Sequence, residues 1–299
     1  MITLTTANGY IVPCVGLGTF PFQGRVMADV VKYAVELGYR LFDTADDYRG
    51  ESGIGLGISE LLLEGTYKRE DLFLQTKISD NNAHEDEPLS GIFFNPNSRF
   101  MKRHKVADIV REKVNNSLHQ MHTDYLDSLL IHYPFPDYMV EIWDEMIRLK
   151  KEGIVRYIGV SNFHERHISR LILETGVRPE INEVYTSPIG TKQSLVDYCN
   201  INNCLFMTYS PLIDLVNNRF DNSLIKPIAE KNSKSIAQII LRWNIDRGCF
   251  PLPKSKNVLR LKENFDVLNF SLSSEEVKAI SSLNMDYQYL VESKICPGI

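Results

Sequence analysis

The stretch LFDTADDYRGE, residues 41–51, passes from two apolar residues straight into acids and sets a carboxylate, Asp43, five positions ahead of a phenol, Tyr48. A phenol whose reference pKa is about 10 is a poor acid near neutral pH. A neighbouring ammonium stabilises the phenolate, and a carboxylate paired with that ammonium keeps it charged and aimed. The chain supplies the ammonium in Lys77, which ends the apolar run LFLQTK, and an imidazole in His132, inside LLIHYP. Together the four residues make a proton-transfer set. Tyr48 is the acid, Lys77 its tuner and Asp43 the anchor of Lys77, while His132 orients a substrate oxygen and shares the proton. Each has a plainer role open to it: strand-end cap for Asp43, packed loop aromatic for Tyr48, surface charge for Lys77, core histidine for His132. What favours the catalytic reading is that all four fall at the same end of successive predicted strands.

Elements that bring such distant positions together can be read from the hydrophobic pattern. Eight apolar, β-rich runs recur: CVGLGTF, YRLFDTA, DLFLQTKI, YLDSLLIHY, VRYIGVSN, EINEVYT, CLFMTYS and CFPLPK. Helical periodicity separates most of them, over Val26–Leu37, Gly53–Leu63, Lys105–Gln120, Met139–Lys150, His164–Thr175, Lys192–Asn200 and Ser235–Asp246. This alternation predicts an α/β chain, and eight strands predict a (β/α)8 TIM barrel, which usually takes about 250 residues. In a barrel the C-terminal strand ends meet at one mouth, and here they read Asp43, Lys77, His132, Asn162, Glu183 and Tyr209. The competing architecture is a doubly wound sheet, whose dinucleotide form needs GxGxxG after the first strand. VGLGTF has only the first two glycines, and GIGLGISE spaces Gly53, Gly55 and Gly57 for close helix packing instead. One domain over residues 1–299 is expected, opened by a short N-terminal β-hairpin and interrupted after the third barrel strand by the long insert NNAHEDEPLSGIFFNPNS.

With 43% hydrophobic and 24% charged residues the composition is that of an ordinary globular protein. A formal net charge of −5 gives no general electrostatic reason to bind nucleic acid or an anionic membrane. No apolar run approaches a membrane span and the N-terminal residues lack the pattern of a signal peptide, so a cytoplasmic protein is expected. The five cysteines, at 14, 199, 204, 249 and 296, are odd in number, and Cys199 with Cys204 forms a CxxxxC without zinc spacing. Reduced thiols are the better reading. A hydrolytic metal centre would want several histidines at strand ends, and only His132 lies on one. The pairs in HQMH and HERH lack a third ligand, and DTADD with Glu51 lacks the phosphate-cradling loop that would accompany Mg²⁺. No metal is expected.

The four residues and their flanking text resemble the aldo-keto reductase superfamily. LFDTADDYRGE is similar to its second-strand signature, LFLQTK ends on its lysine and LDSLLIHYP carries its histidine. GIVRYIGVSNF, RPEINEVYTSP, FMTYSPL and PLPKSKNVLRLKENF follow in the family's order, so the likeness covers nearly the whole chain. It implies a (β/α)8 barrel that binds NADPH/NADP⁺ in extended form and reduces an aldehyde or ketone, with hydride from nicotinamide C4 and a proton from Tyr48. Carried over residue by residue, it implies that Ser161, Asn162 and position 183 hold the carboxamide and that Tyr209 stacks on the nicotinamide. Thr19 belongs to the same cofactor set, and Ser210 and Leu212 begin the stretch over the pyrophosphate. Lys254, Ser255 and Arg260 are implied to grip the adenosine 2′-phosphate, with Glu263 and Asn264 facing the adenine. Two cations and a hydroxyl do make a good phosphate site on chemistry alone. Phe20, Phe22 and Tyr133, with Tyr48 and His132, are expected to meet the substrate.

Three departures stand out. The family's carboxamide glutamine is Glu183 here, its NE after the tyrosine is Gly50–Glu51, and the tryptophan after its histidine is Tyr133. The tetrad is untouched by these changes. Besides a reductase, two other classes stay open: a nicotinamide-binding regulatory subunit with weak or no turnover, and a barrel lyase using the same acid–base residues. The partner expected is a small-molecule carbonyl, and the protein is expected to be a monomer or weak homodimer.

Overall fold

The computed structural model describes residues 3–5, 11–79, 105–135 and 137–289. Each of the eight runs contains a strand: β1 (Gly16–Gly18), β2 (Leu41–Asp43), β3 (Phe73–Ile78), β4 (Leu126–Ile131), β5 (Val155–Ser161), β6 (Ile181–Glu183), β7 (Leu205–Tyr209) and β8 (Cys249–Leu252). They form one eight-stranded sheet whose neighbours follow chain order. The registers of β3 with β4, β4 with β5, and β7 with β8 are parallel. Gly18 N donates to Pro253 O at 3.2 Å, which ties the end of β1 to the end of β8. The architecture is a (β/α)8 barrel. Every residue of β3 and β4 is buried, as expected of parallel strands covered on both faces. The polar members of those strands, Gln75, Thr76, Lys77, Asp127 and Ser128, therefore need partners inside the protein.

The helices fall within about two residues of the periodic segments, at Gly24–Leu37, Glu51–Leu63, Val106–Gln120, Met139–Lys151, Glu165–Thr175, Gln193–Ile201 and Ile236–Asp246. Four more, Ile213–Val216, Ile225–Asn232, Val258–Phe265 and Ser274–Ser281, have eight residues or fewer. Two turns or less give too few apolar repeats to stand out from a loop. The glycines of GIGLGISE do pack a helix closely. A Cβ on Gly53 would lie 2.6 Å from Gly24 O, one on Gly55 2.2 Å from Gln120 O, and one on Gly57 2.7 Å from Ala28 O.

Two compact units can be distinguished. One comprises Thr19–Lys32 and the described residues of Phe42–Asn182. Its helix Met139–Lys151 buries Trp143, which donates to Val177 O at 3.1 Å. The other comprises Tyr33–Leu41 and the described residues of Met1–Gly18 and Glu183–Val291. It has a core of Ile225, Ile239, Ile240, Trp243, Leu272 and Ile280. Thr3–Thr5 pairs antiparallel with Ile11–Pro13, while the residues joining them and the expected insert at 81–98 lie outside the described residues.

Candidate active site

The first unit holds all four residues of the proton-transfer set. Asp43 is the last residue of β2, Lys77 the penultimate residue of β3, and His132 follows β4 directly. Lys77 is 1% exposed, and its Nζ donates to Asp43 Oδ1 at 2.6 Å and to Thr44 O at 3.0 Å. A second bond holds the carboxylate, from Gln75 Nε2 to Asp43 Oδ1 at 2.9 Å, and Ser128 Oγ fixes the other end of Gln75 at 2.7 Å. The pair is thus surrounded by donors and acceptors, the condition under which a buried ion pair is tolerated. Thr19, expected on the cofactor, turns its hydroxyl to Asp43 O at 2.8 Å.

Tyr48 ends a short 3₁₀ turn, Asp46–Tyr48, and the chain then reverses through Arg49 at φ 58°. Gly50 follows because a Cβ there would sit 2.9 Å from Phe22 O, which accounts for one departure from the family text. The Tyr48 hydroxyl lies 3.3 Å from His132 Nε2, and Lys77 Nζ lies 5.3 Å from the centre of the Tyr48 ring. Phe20 packs at 5.1 Å from Tyr48, and Tyr133 stacks on His132 at 4.6 Å, so four of the five residues expected to meet substrate are neighbours. The fifth, Phe22, is half-buried, and its N–H donates to Thr19 O at 2.9 Å. Burial, then the charges of Lys77 and Lys113, hold the His132 imidazolium well below the usual range, so the ring is neutral near pH 7. Asn162 adopts φ 62°, a left-handed turn that asparagine tolerates, and its Nδ2 donates to His132 O at 3.1 Å.

Behind these residues lies a polar layer that the sequence reading missed. Ser79 Oγ is 2.6 Å from His132 Nδ1, and Ser79 N donates to Asp46 Oδ1 at 3.0 Å. Lys113, from the helix Val106–Gln120, pairs with Asp46 Oδ2 at 2.6 Å. Asp47 Oδ1 lies 3.8 Å from His132 Nδ1. Burial, then the charge of Asp46, pushes the Asp47 carboxyl up to about 6. Glu51 is buried, accepts from Thr76 Oγ1 at 2.7 Å and is pushed up to about 7, chiefly by burial. Asp46 is therefore occupied with Lys113 and Ser79, Glu51 with Thr76, and Asp43 with Lys77 and Gln75. The one signal available beforehand was spacing: Gln75, Lys77 and Ser79 alternate along one line and so share a side.

In the second unit, Glu183 ends β6 with 1% exposure and Tyr209 ends β7 half-buried. Ser210 turns at φ 50°, and Leu212 caps the helix Ile213–Val216. That helix is pinned by Asp214, which accepts from Tyr185 Oη and pairs with Arg219 Nη1 at 2.9 Å. After β8, Lys254 is exposed and Ser255 buried, and Asn257 N donates to Ser255 Oγ at 3.0 Å. Asn257 caps the helix Val258–Phe265 by accepting from Arg260 N at 3.1 Å. Arg260 is exposed, Glu263 half-buried and Asn264 buried.

The aldo/keto reductase family model matches residues 15–285. Glyoxal reductase of Bacillus subtilis is 34% identical over 285 residues, covering 95% of this chain and 93% of that protein. Methylglyoxal reductase DkgA of Escherichia coli O157:H7 is 34% identical, covering 93% of this chain and 91% of its own. A Bombyx mori aldo-keto reductase solved in complex with NADP superposes with a TM-score of 0.81 at 32% identity, covering 96% of this chain and 94% of its own. This chain belongs to the aldo/keto reductase family.

Proposed function

We propose that this protein is an NADPH-dependent reductase of aldehydes and ketones, with small dicarbonyls of the glyoxal type as the first substrates to try. The observation that carries the reading is the buried Lys77–Asp43 pair beside a tyrosine whose hydroxyl faces a neutral histidine. Lys77 stabilises the phenolate that Tyr48 becomes on giving its proton to a carbonyl oxygen, and Asp43 holds Lys77 charged at 2.6 Å. His132 keeps the oxygen in place, and Phe20 and Tyr133 offer flat apolar surface to a planar substrate.

The donor chemistry present fits a nicotinamide dinucleotide phosphate. Lys254, Ser255 and Arg260, around the amino end of a capped helix, suit a phosphate dianion. Ser161 and Asn162 carry amide-matching groups, and Tyr209 offers a ring face. Thr19, Ser210, Leu212, Glu263 and Asn264 complete the proposed cofactor set. Glu183, ionised, accepts from a carboxamide NH₂ but cannot donate to its carbonyl. When bound, the cofactor supplies a hydride from nicotinamide C4 to the carbonyl carbon.

A complete tetrad argues against a regulatory subunit, and the cofactor residues argue against a lyase. The setting we infer is the cytoplasm, a reducing compartment that suits a chain whose Cys14, Cys199, Cys204 and Cys249 are all buried. Among the described residues no helix is long and apolar enough to cross a membrane. The test is a screen of purified protein against aldehydes, ketones, glyoxal and methylglyoxal with NADPH and NADH, following the nicotinamide absorbance. Carbonyl-dependent loss of NADPH is the expected result, and no loss with any compound overturns the proposal.

A further inference from the structure

Lys77 and Ser79 stand two positions apart where β3 ends, and so lie on one side of the strand. Lys77 serves the phenol, with its Nζ 5.3 Å from the centre of the Tyr48 ring. Ser79 goes to the histidine. Ile78 pairs with Ile131 across β3 and β4, and His132 N donates to Ile78 O at 3.0 Å, so Ser79 and His132 leave adjacent strands side by side. Ser79 Oγ then comes within 2.6 Å of His132 Nδ1, with both residues less than a tenth exposed. The serine is itself braced. Its N–H donates to Asp46 Oδ1 at 3.0 Å, and Lys113 Nζ grips Asp46 Oδ2 at 2.6 Å. Asp47 Oδ1 also lies toward Nδ1, but at 3.8 Å it is beyond hydrogen-bond reach.

A neutral imidazole has one ring proton, and the nitrogen that carries it decides what Tyr48 can do. Were the proton on Nδ1, Ser79 would accept from it. Bare Nε2, 3.3 Å from the Tyr48 hydroxyl, would then accept the phenol's proton in a hydrogen bond. The acid would be turned toward the imidazole and away from a carbonyl. With Ser79 as the donor to Nδ1, the ring proton sits on Nε2 and points at the Tyr48 oxygen. The phenol's own proton is left for the substrate, and the phenolate that forms meets a second donor besides Lys77. The ring stays neutral in either arrangement, and no proton passes through Ser79.

We propose that Ser79 is a positioning residue that donates its hydroxyl proton to His132 Nδ1 and so keeps the ring in the Nε2–H form that catalysis by Tyr48 needs. Which form is useful rests on the reductase reading, whereas the contact between the serine hydroxyl and Nδ1 does not.

The test therefore has an arm that needs no activity. Long-range ¹H–¹⁵N NMR correlations show which ring nitrogen of His132 carries the proton near neutral pH in the wild type, Ser79→Ala and Asp47→Asn. Nε2–H is expected in the wild type and in Asp47→Asn. In Ser79→Ala the Nδ1 signal is expected to move toward that of a nitrogen without a hydrogen bond, and a share of Nδ1–H to appear, drawn by the Asp47 carboxylate. In steady state, Ser79→Ala should lower kcat and kcat/KM together by about tenfold, the effect of one hydrogen bond lost, with NADPH affinity kept. Nδ1–H in the wild type, a His132 spectrum common to wild type and Ser79→Ala, or a tautomer that switches in Asp47→Asn overturns the proposal. So does an undiminished kcat in Ser79→Ala. Absence of carbonyl-dependent turnover in the wild type would instead overturn the reductase reading, and the spectra would still decide for or against the bond from the serine.

Discussion

The set around Asp43 and the stretch from Lys254 to Arg260 both gather charge, and they do so in opposite ways. Asp43, Lys77 and His132 come from three strands up to 89 positions apart, each is less than a tenth exposed, and each is held by at least one bond of 3.0 Å or less. Lys254, Ser255 and Arg260 lie within seven positions, both cations are exposed, and the turn is fixed by its own Ser255 and Asn257 side chains. Proton transfer needs atoms placed to a few tenths of an ångström in a region free of bulk water, which only tertiary packing provides. Gripping a phosphate needs positive charge within reach, and flexible side chains on a capped turn supply it.

The largest effect should come from breaking the buried set at its acid. Tyr48→Phe keeps the ring and removes the proton, so kcat for carbonyl reduction should fall by about 10³-fold or more with NADPH affinity largely kept. Turnover close to wild type in steady-state assays would remove Tyr48 from its role. Lys77→Met should cost about 100-fold in kcat and also destabilise the fold. It strands Asp43 in the interior, a loss on the order of 3–5 kcal/mol that urea denaturation would report. A stability unchanged within error would mean that Asp43 is not held as an ion pair.

The exposed stretch should respond differently. Arg260→Ala should cut the preference for NADPH over NADH by about tenfold, the worth of one charge-assisted bond, with little change in stability. Titration of both reduced cofactors checks this, and a preference unaffected by the change would place the 2′-phosphate elsewhere. Smallest is Glu183→Gln. A charge near the nicotinamide at partly screened distance matters by about 1 kcal/mol, so the substitution should tighten NADPH relative to NADP⁺ by about fivefold. Dissociation constants for the two forms decide it, and a ratio that stays put would mean Glu183 contributes no charge there.

The periodicity of the chain was enough for the barrel. Eight β-rich runs alternating with helical segments leave few architectures, and the polar residues at the ends of apolar runs name the strand ends that matter. Short helices such as Val258–Phe265 escaped because two turns carry too little pattern. Gly50 looked like an arbitrary departure until the nearness of Phe22 O explained it.

By itself, then, the sequence determined the strand count, the four residues proposed for proton transfer and the cationic stretch after the eighth strand. Each of these is written in local pattern: period, spacing and residue type within a dozen positions. Only the tertiary structure decided that Gln75 would share Asp43 with Lys77, that Ser79 would reach His132 Nδ1, and that Lys113 would meet Asp46. Those partners lie between 32 and 67 positions apart, and no local rule links a serine to a histidine on the next strand. Their meeting depends on register between parallel strands and on how far a helix packs along the barrel, quantities set by the whole core at once.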